Sequence, residues 1–244
     1  MSIFAKLKNR AGRKRPFCSA LIAAAGSSSR MGGENKLLLP LGGKPVIAHT
    51  LLAIDAAEGI DEIVIAARED DLLTFADICK AYGITKPVKV ILGGATREES
   101  VLRAALEANA EASLLAVQDG ARPLVTSELI DRTVALAARC FAAAPAVPVH
   151  DTIKVAKDGV VRETPDRATL FAVQTPQVFD AGLLKAALQS ALAENAHLTD
   201  DCSAVERIGK EVYLTEGNEE NIKLTTPLDL LIAEAILKKR TGEL

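Results

Sequence analysis

Two basic residues follow an apolar run near the start of the chain, at a spacing that suits phosphate binding. The run 20–25 predicts a buried parallel strand, and it leads through Gly26 and three serines to Arg30, with Lys36 a few residues later. Small residues let backbone N–H groups approach an anion, and Arg and Lys add full positive charges. The pattern predicts a nucleoside triphosphate site; a surface turn with solvated charges is the alternative.

Two more charged residues stand beside apolar stretches later in the chain. Asp119 follows the apolar stretch 114–117 and precedes Gly120, so it suits a ribose hydroxyl or a magnesium ion, or else caps its own turn. Lys223 lies between apolar neighbours in 221–225, which we predict as a short strand. A lysine is unfavourable there unless it meets an anion, so we predict that Lys223 is a third phosphate ligand.

This set of residues suits the positioning of anions rather than proton transfer. The sequence shows no Ser-His-Asp set, and His49 has no acidic partner nearby, so we expect it to be packed or at the surface. The Walker frame and the three-glycine dinucleotide fingerprint are also absent. A substrate phosphate is already a nucleophile near neutral pH. Its attack on the α-phosphorus of a nucleotide therefore needs alignment and charge neutralisation, not a general base.

Alternating strands and helices must position these residues. Apolar runs predict strands over 20–25, 62–67, 88–92 and 114–117, with further short strands over 146–149 and 212–215. Caps and stop signals predict helices over 45–58, 72–82, 101–109, 126–141, 180–194, 199–209 and from 226 onwards. The alternation implies an α/β fold with a mostly parallel sheet. Ligands of such sheets bind at the carboxyl ends of the strands, so the loops after Ala25, Leu92 and Gln118 share one rim.

The loop after Leu92 carries small and polar residues. Gly93 and Gly94 let a ligand base approach the backbone. Ser100 either hydrogen-bonds that ligand or caps the helix that follows.

Residues 151–162 interrupt the alternation. They predict two short strands joined by Lys157, Asp158 and Gly159, which is a hairpin signal. A protruding hairpin has an unpaired edge that usually finds a partner, often a second copy of the chain. Arg167 follows the hairpin, either as a surface charge or as an anion ligand offered to the neighbouring subunit.

Composition narrows the class of protein. The chain has 244 residues, 49% hydrophobic and 25% charged, which suits a globular α/β domain over 17–240 behind a basic tail, 1–16, that we expect to be disordered. A net charge of −3 and only 3% aromatic residues argue against a general nucleic-acid binder. Four scattered cysteines fit a reducing cytoplasm, and we see no apolar run long enough to cross a bilayer.

Taken together, the motifs resemble the 2-C-methyl-D-erythritol 4-phosphate cytidylyltransferase family of the non-mevalonate isoprenoid pathway. The segments that carry the resemblance are AAGSSSRM (24–31), NK (35–36), GGATREESV (93–101), DGARP (119–123), DTIK (151–154), DRATLFAVQTPQVF (166–179), TDD (199–201) and NIKLTTPLDL (221–230). The resemblance implies a Rossmann-like nucleotidyltransferase fold and a homodimer joined through an arm at 150–172. It also implies transfer of CMP from CTP to 2-C-methyl-D-erythritol 4-phosphate, with Mg²⁺ bound mainly through the CTP phosphates.

The resemblance also implies roles for single residues. The catalytic set is Arg30, Lys36, Lys223 and Arg167, the last reaching from the partner's arm. The nucleotide-binding set is Ala24, Ala25, Gly26, Gly94, Ser100, Asp119 and Gly120. The substrate-binding set is Asp119, Arg122, Thr152, Arg167, Thr175, Thr199 and Lys223. It assigns no protein ligand to the metal.

The sequence departs from the family pattern at Asn35 and Leu37 around the catalytic lysine, at Ala95 and at Gln118. None of these changes removes a positive charge. The alternatives to this interpretation are a ribitol-5-phosphate cytidylyltransferase, a non-catalytic nucleotide-binding protein and an NAD-dependent oxidoreductase.

Overall fold

A twisted sheet runs through the molecule. The computed structural model describes residues 15–26 and 35–243. The strands in these ranges are β1 (Cys18–Ala24), β2 (Pro40–Leu41), β3 (Lys44–Pro45), β4 (Glu62–Ala67), β5 (Val88–Leu92), β6 (Leu114–Asp119), β7 (Ala142–Pro148), β8 (Val155–Lys157), β9 (Val160–Glu163), β10 (Phe171–Val173), β11 (Gln177–Asp180) and β12 (Tyr213–Glu216). The helices are α1 (Val46–Ala56), α2 (Leu72–Ala81), α3 (Arg97–Glu107), α4 (Ser127–Cys140), α5 (Ala181–Ala193), α6 (Asp201–Arg207) and α7 (Pro227–Thr241).

The main sheet has the order β10-β7-β11-β6-β1-β4-β5, and β12 also pairs with β7. The central strand β1 is parallel to both β4 and β6, while β10 and β11 run antiparallel to their neighbours. The predicted α/β fold with a mostly parallel sheet is confirmed. Because parallel strands end at one edge, Ala23 of β1 stands directly beside Asp119 of β6.

Successive residues of the central strands face opposite layers of helices, as strand geometry requires. Ile22 belongs to a core cluster on the side of α1, α2, α4 and α7. Leu21 belongs to a second cluster on the side of α3, α5 and α6. The sheet is therefore covered on both faces, which explains why its strands are nearly continuous apolar runs.

The arm forms as the hairpin signal predicts. Strands β8 and β9 pair antiparallel, and the turn residues Asp158 and Gly159 both have positive φ, 53° and 75°. Every residue of the two strands is exposed. Within residues 15–26 and 35–243, no helix is both long and apolar enough to cross a membrane.

Three predicted elements were wrong in detail. Residues 221–225 do not form a strand. Helix α3 begins at Arg97 instead of 101 because Thr96, not Ser100, is its N-cap and accepts a hydrogen bond from Glu99 N. Helix α6 begins at Asp201, capped by Asp200, rather than at Thr199. Residues 1–14 and the predicted catalytic Arg30 lie outside the described residues.

Candidate active site

A cavity of about 370 Å³ opens at the carboxyl ends of β1 and β6 and beside the loop that follows β5. Its walls are Ala23, Ala24, Ala25, Gly26, Lys36, Leu37, Gly94, Ala95, Thr96, Arg97, Ser100, Asp119, Gly120, Ala121 and Lys223. The structure thus brings together every residue of the predicted nucleotide-binding set, and with them two of the predicted catalytic cations. This is the position that the topology of a parallel sheet favours for a ligand.

Ser100 shapes the loop on one wall of the cavity. Its hydroxyl oxygen accepts a hydrogen bond from Gly94 N at 2.9 Å, and its hydroxyl donates to Thr96 O at 2.8 Å. A side chain at Gly94 would collide with Glu99. Glycine is therefore required at position 94 for this loop to fold tightly over the start of α3.

Lys36 reaches the cavity from the turn before α1. Its Nζ donates to Leu224 O at 2.8 Å. The segment that contains Leu224 is fixed in turn, because Leu224 N donates to Ala121 O and Arg122 donates to Asn221 O. Segment 221–224 therefore lies against the loop after β6, although it is not part of the sheet.

Lys223 lies in that segment and faces Asp119. The Nζ to Oδ2 distance is 2.9 Å, and the Lys223 side chain is 40% exposed. Asp119 supplies Lys223 with an anion within the protein, and the phosphate-binding role of Lys223 stays a prediction. Its remaining exposure is compatible with a second anion in the cavity.

Three cations surround Asp119. Lys223 lies at 2.9 Å, and Arg97 and Arg122 both lie at 3.4 Å. Burial alone would raise the pKa of the Asp119 carboxyl, but Lys223, Arg97 and Arg122 outweigh it and lower this pKa to about 2. Asp119 is therefore ionised at neutral pH although it is buried.

Arg97 is a part of the site that the sequence analysis did not single out. One guanidinium nitrogen donates to Asp201 Oδ2 at 2.6 Å, and another faces Asp119 Oδ1 at 3.4 Å. Burial raises the pKa of Asp201, and the charge of Arg97 opposes this rise. Arg97 stands inside the quoted segment 93–101, but nothing in the sequence pairs it with Asp201.

The predicted substrate-binding residues fall into two groups. Arg122 and Thr175 adjoin Asp119: Thr175 Oγ1 accepts a hydrogen bond from Asp119 N at 3.1 Å. Thr152, Arg167 and Thr199 are exposed and do not line the cavity of the single chain. Arg167 lies in the short 3₁₀ helix Arg167–Thr169 within the arm and donates to His150 O.

Comparison with known proteins decides the family. The profile of the family described as "IspD: 2-C-methyl-D-erythritol 4-phosphate cytidylyltransferase" matches residues 18–239. The chain belongs to this family. It is 47% identical over 218 residues to the 2-C-methyl-D-erythritol 4-phosphate cytidylyltransferase of Bacillus cytotoxicus, covering 89% of this chain and 96% of that one. It is 44% identical over 223 residues to the enzyme of the same name from Halalkalibacterium halodurans, covering 91% and 97%.

Solved structures of this cytidylyltransferase family show the same fold. The 4-diphosphocytidyl-2C-methyl-D-erythritol synthase of Anaerococcus prevotii superimposes with a TM-score of 0.83 at 32% identity, covering 92% of this chain and all of that one. The 2-C-methyl-D-erythritol 4-phosphate cytidylyltransferase of Thermus thermophilus gives 0.72 at 32% identity, covering 90% and 98%. The resemblance drawn from the sequence motifs and the Rossmann-like nucleotidyltransferase fold are both confirmed.

Proposed function

We propose that the protein transfers CMP from CTP to 2-C-methyl-D-erythritol 4-phosphate, giving 4-diphosphocytidyl-2-C-methyl-D-erythritol and pyrophosphate. The single observation that carries this proposal, beside membership of the cytidylyltransferase family, is the cavity that joins a small-residue nucleotide wall to a cluster of cations. The nucleotide wall consists of Ala24, Ala25, Gly26 and Gly94. The cluster of cations consists of Lys36, Lys223 and Arg97.

The small-residue wall suits the nucleotide. Backbone groups at the end of β1 and in the loop before α3 can approach a base and ribose closely because few side chains intervene. The hydrogen bonds of Ser100 hold the second of these segments in shape. We propose that Ala95, where the family commonly has an acid, leaves recognition of cytosine to the backbone and to Ser100.

The cations suit in-line attack by a phosphate. The substrate phosphate attacks the α-phosphorus, and the bond to the pyrophosphate oxygen breaks, so no proton has to be removed by a base. Positive charge at Lys36 stabilises the charge that builds up on the pentacovalent centre and on pyrophosphate, and Lys223 positions the substrate phosphate. Both amines are already held in place, by Leu224 O and by Asp119, so their ordering does not have to accompany the reaction.

The described residues fit a magnesium ion that arrives with the nucleotide. They contain no cluster of three or more His, Cys, Asp and Glu side chains that could hold a metal alone. Asp119 is an ionised carboxylate in the wall of the cavity, and Mg²⁺ in nucleotide sites is commonly held by one or two carboxylates and the phosphates. The CTP phosphates would supply most of its ligands, with Asp119 as the nearby carboxylate of the cavity wall, and the ion would neutralise charge on the triphosphate.

We further propose that the protein acts as a homodimer joined through the arm, 150–172. Val155, Val160 and Val161 are exposed on the two arm strands, and Phe171 and Val173 are exposed on β10. Exposed apolar residues on an unpaired hairpin favour contact with a second copy. In this arrangement, Thr152 and Arg167 would serve the cavity of the partner.

The cysteines of the described chain are free, which supports a location in the reducing cytoplasm.

Pyrophosphate release tests the proposed reaction. CTP and Mg²⁺ are supplied with 2-C-methyl-D-erythritol 4-phosphate in one assay and with ribitol 5-phosphate in another. Turnover of the first alone is expected. Turnover of ribitol 5-phosphate alone would mean that the protein transfers CMP as proposed but that its substrate is ribitol 5-phosphate. Bound CTP without turnover of either would indicate a non-catalytic nucleotide-binding protein.

A further inference from the structure

Asp71 is a buried carboxylate whose orientation its helix does not explain. It stands at the N-cap of α2, where an Asp side chain usually accepts a hydrogen bond from the first turn. No backbone N–H of the described helix bonds to the Asp71 side chain. Its Oδ2 instead accepts hydrogen bonds from Arg68 Nε at 2.7 Å and Asn35 Nδ2 at 2.8 Å. The carboxylate is thus turned towards the segment that carries Lys36.

Asn35 connects Asp71 to the backbone around Lys36. While its Nδ2 donates to Asp71, its Oδ1 accepts a hydrogen bond from Leu37 N at 3.1 Å. Its main-chain oxygen accepts from Leu38 N at 2.9 Å. The Asn35 side chain therefore spans Lys36 and ties this turn to the start of α2.

The position of the Lys36 amine depends on both ends of its side chain. A lysine has a long flexible stem, so a fixed amine requires a fixed backbone as well as a partner for Nζ. Leu224 O is a partner for Nζ, and Asn35 restrains the backbone. We propose that Asp71 is a positioning residue that acts through Asn35 to hold Lys36 in the cavity. This inference rests on the proposed function, which gives Lys36 its role in transfer.

The test exchanges the side chains of Asn35 and Asp71. Asn35→Asp places two carboxylates against each other, so we expect kcat to fall about tenfold or more while KM for both substrates stays within about twofold. Asp71→Asn keeps an oxygen that accepts from Asn35 and Arg68, and should retain kcat within about threefold. In the double variant, the amide at position 71 can donate to the carboxylate at position 35, so kcat should return to within about threefold of the wild type.

Asp70→Asn is the matched control, because it removes an exposed carboxylate from the same turn. It should leave kcat and KM unchanged. Wild-type kcat in Asn35→Asp would overturn the proposal, and so would a double variant as slow as Asn35→Asp alone. A fall in thermal stability with unchanged kcat would show a structural role only, and would also overturn it.

A second measurement separates this proposal from the proposed reaction. Acylation of the Lys36 amine by an amine-reactive ester, followed by mass spectrometry, needs no turnover. We expect about threefold faster modification in Asn35→Asp and a wild-type rate in the double variant, because release of the backbone frees the amine. If the wild-type protein shows no turnover, the proposed function is refuted, and the acylation rates alone then test the role of Asp71. Equal acylation rates in all variants would overturn the proposal that Asp71 positions Lys36.

Discussion

Arg97 and Asp201 form an ion pair of 2.6 Å between residues that are 104 positions apart in the chain. Asp201 is fully enclosed, whereas 30% of the Arg97 side chain is exposed at the cavity. Arg97 begins α3 and Asp201 begins α6, so the pair fixes the start of one helix against the start of the other. The same guanidinium faces Asp119, which links this contact to the candidate active site.

Removal of Arg97 should therefore destabilise the protein. Arg97→Ala leaves Asp201 buried without its cation, and we expect the free energy of unfolding at pH 7 to fall by about 3 kcal/mol. Urea unfolding measures the loss. Arg207→Ala, which breaks the exposed pair with Glu194, is the control and should cost much less. Equal losses in the two variants would contradict this account.

Asp119 should make the stability depend on pH in the acid range. Its pKa is about 2 in the folded protein against a usual 3.8, so its contribution to stability is present above about pH 4 and is lost as pH falls towards 2. The raised pKa of Asp201 has the opposite effect on the pH dependence of stability. We therefore compare the wild type with Asp119→Asn, because both proteins retain Asp201. Asp119→Asn should lower the free energy of unfolding by about 2 kcal/mol at pH 7, and by about half as much at pH 3. A difference that stays constant between pH 7 and pH 3 would show that Asp119 is not held as the structure indicates.

Lys36 should act on the rate of transfer. Lys36→Ala removes a charge that stabilises the transition state, and we expect kcat for pyrophosphate release to fall about 100- to 1,000-fold. Lys44→Ala removes an exposed lysine from the neighbouring hairpin and should leave kcat unchanged. A fall of less than about threefold in Lys36→Ala would remove Lys36 from the proposed mechanism.

Mixed dimers test whether Arg167 acts on the partner. We expect Arg167→Ala and Lys36→Ala to be nearly inactive when each is assayed alone. When the two chains are mixed and allowed to exchange, half of the dimers pair an intact Lys36 with an intact Arg167 at one of two sites. Activity should then recover to about one quarter of the wild type. No recovery, despite mixed dimers detected by native mass spectrometry, would place Arg167 at the cavity of its own chain.

Much of the fold follows from local patterns in the sequence. The buried strands were predictable because a strand covered on both faces is a short apolar run, as in β4 and β6. The arm was predictable because the turn at Asp158 and Gly159 needs positive φ, which this residue pair adopts readily. Segment 221–225 was mistaken for a strand because Ile222 and Leu224 alternate with polar residues. In the structure Leu224 N donates to Ala121 O in the loop after β6, and Ile222 N donates to Glu220 O, so neither joins the sheet.

The candidate site was predictable as a set of residues but not as a set of contacts. The sequence determined that small residues and cations follow the strand ends, and the rule for parallel sheets places those ends on one rim. Only the tertiary structure decided which charges pair: Lys223 with Asp119, and Arg97 with Asp201. These pairings depend on how helices and loops that are far apart in the chain pack against the sheet. No local pattern encodes such a distance, so the charges gain their roles only when the fold brings them together.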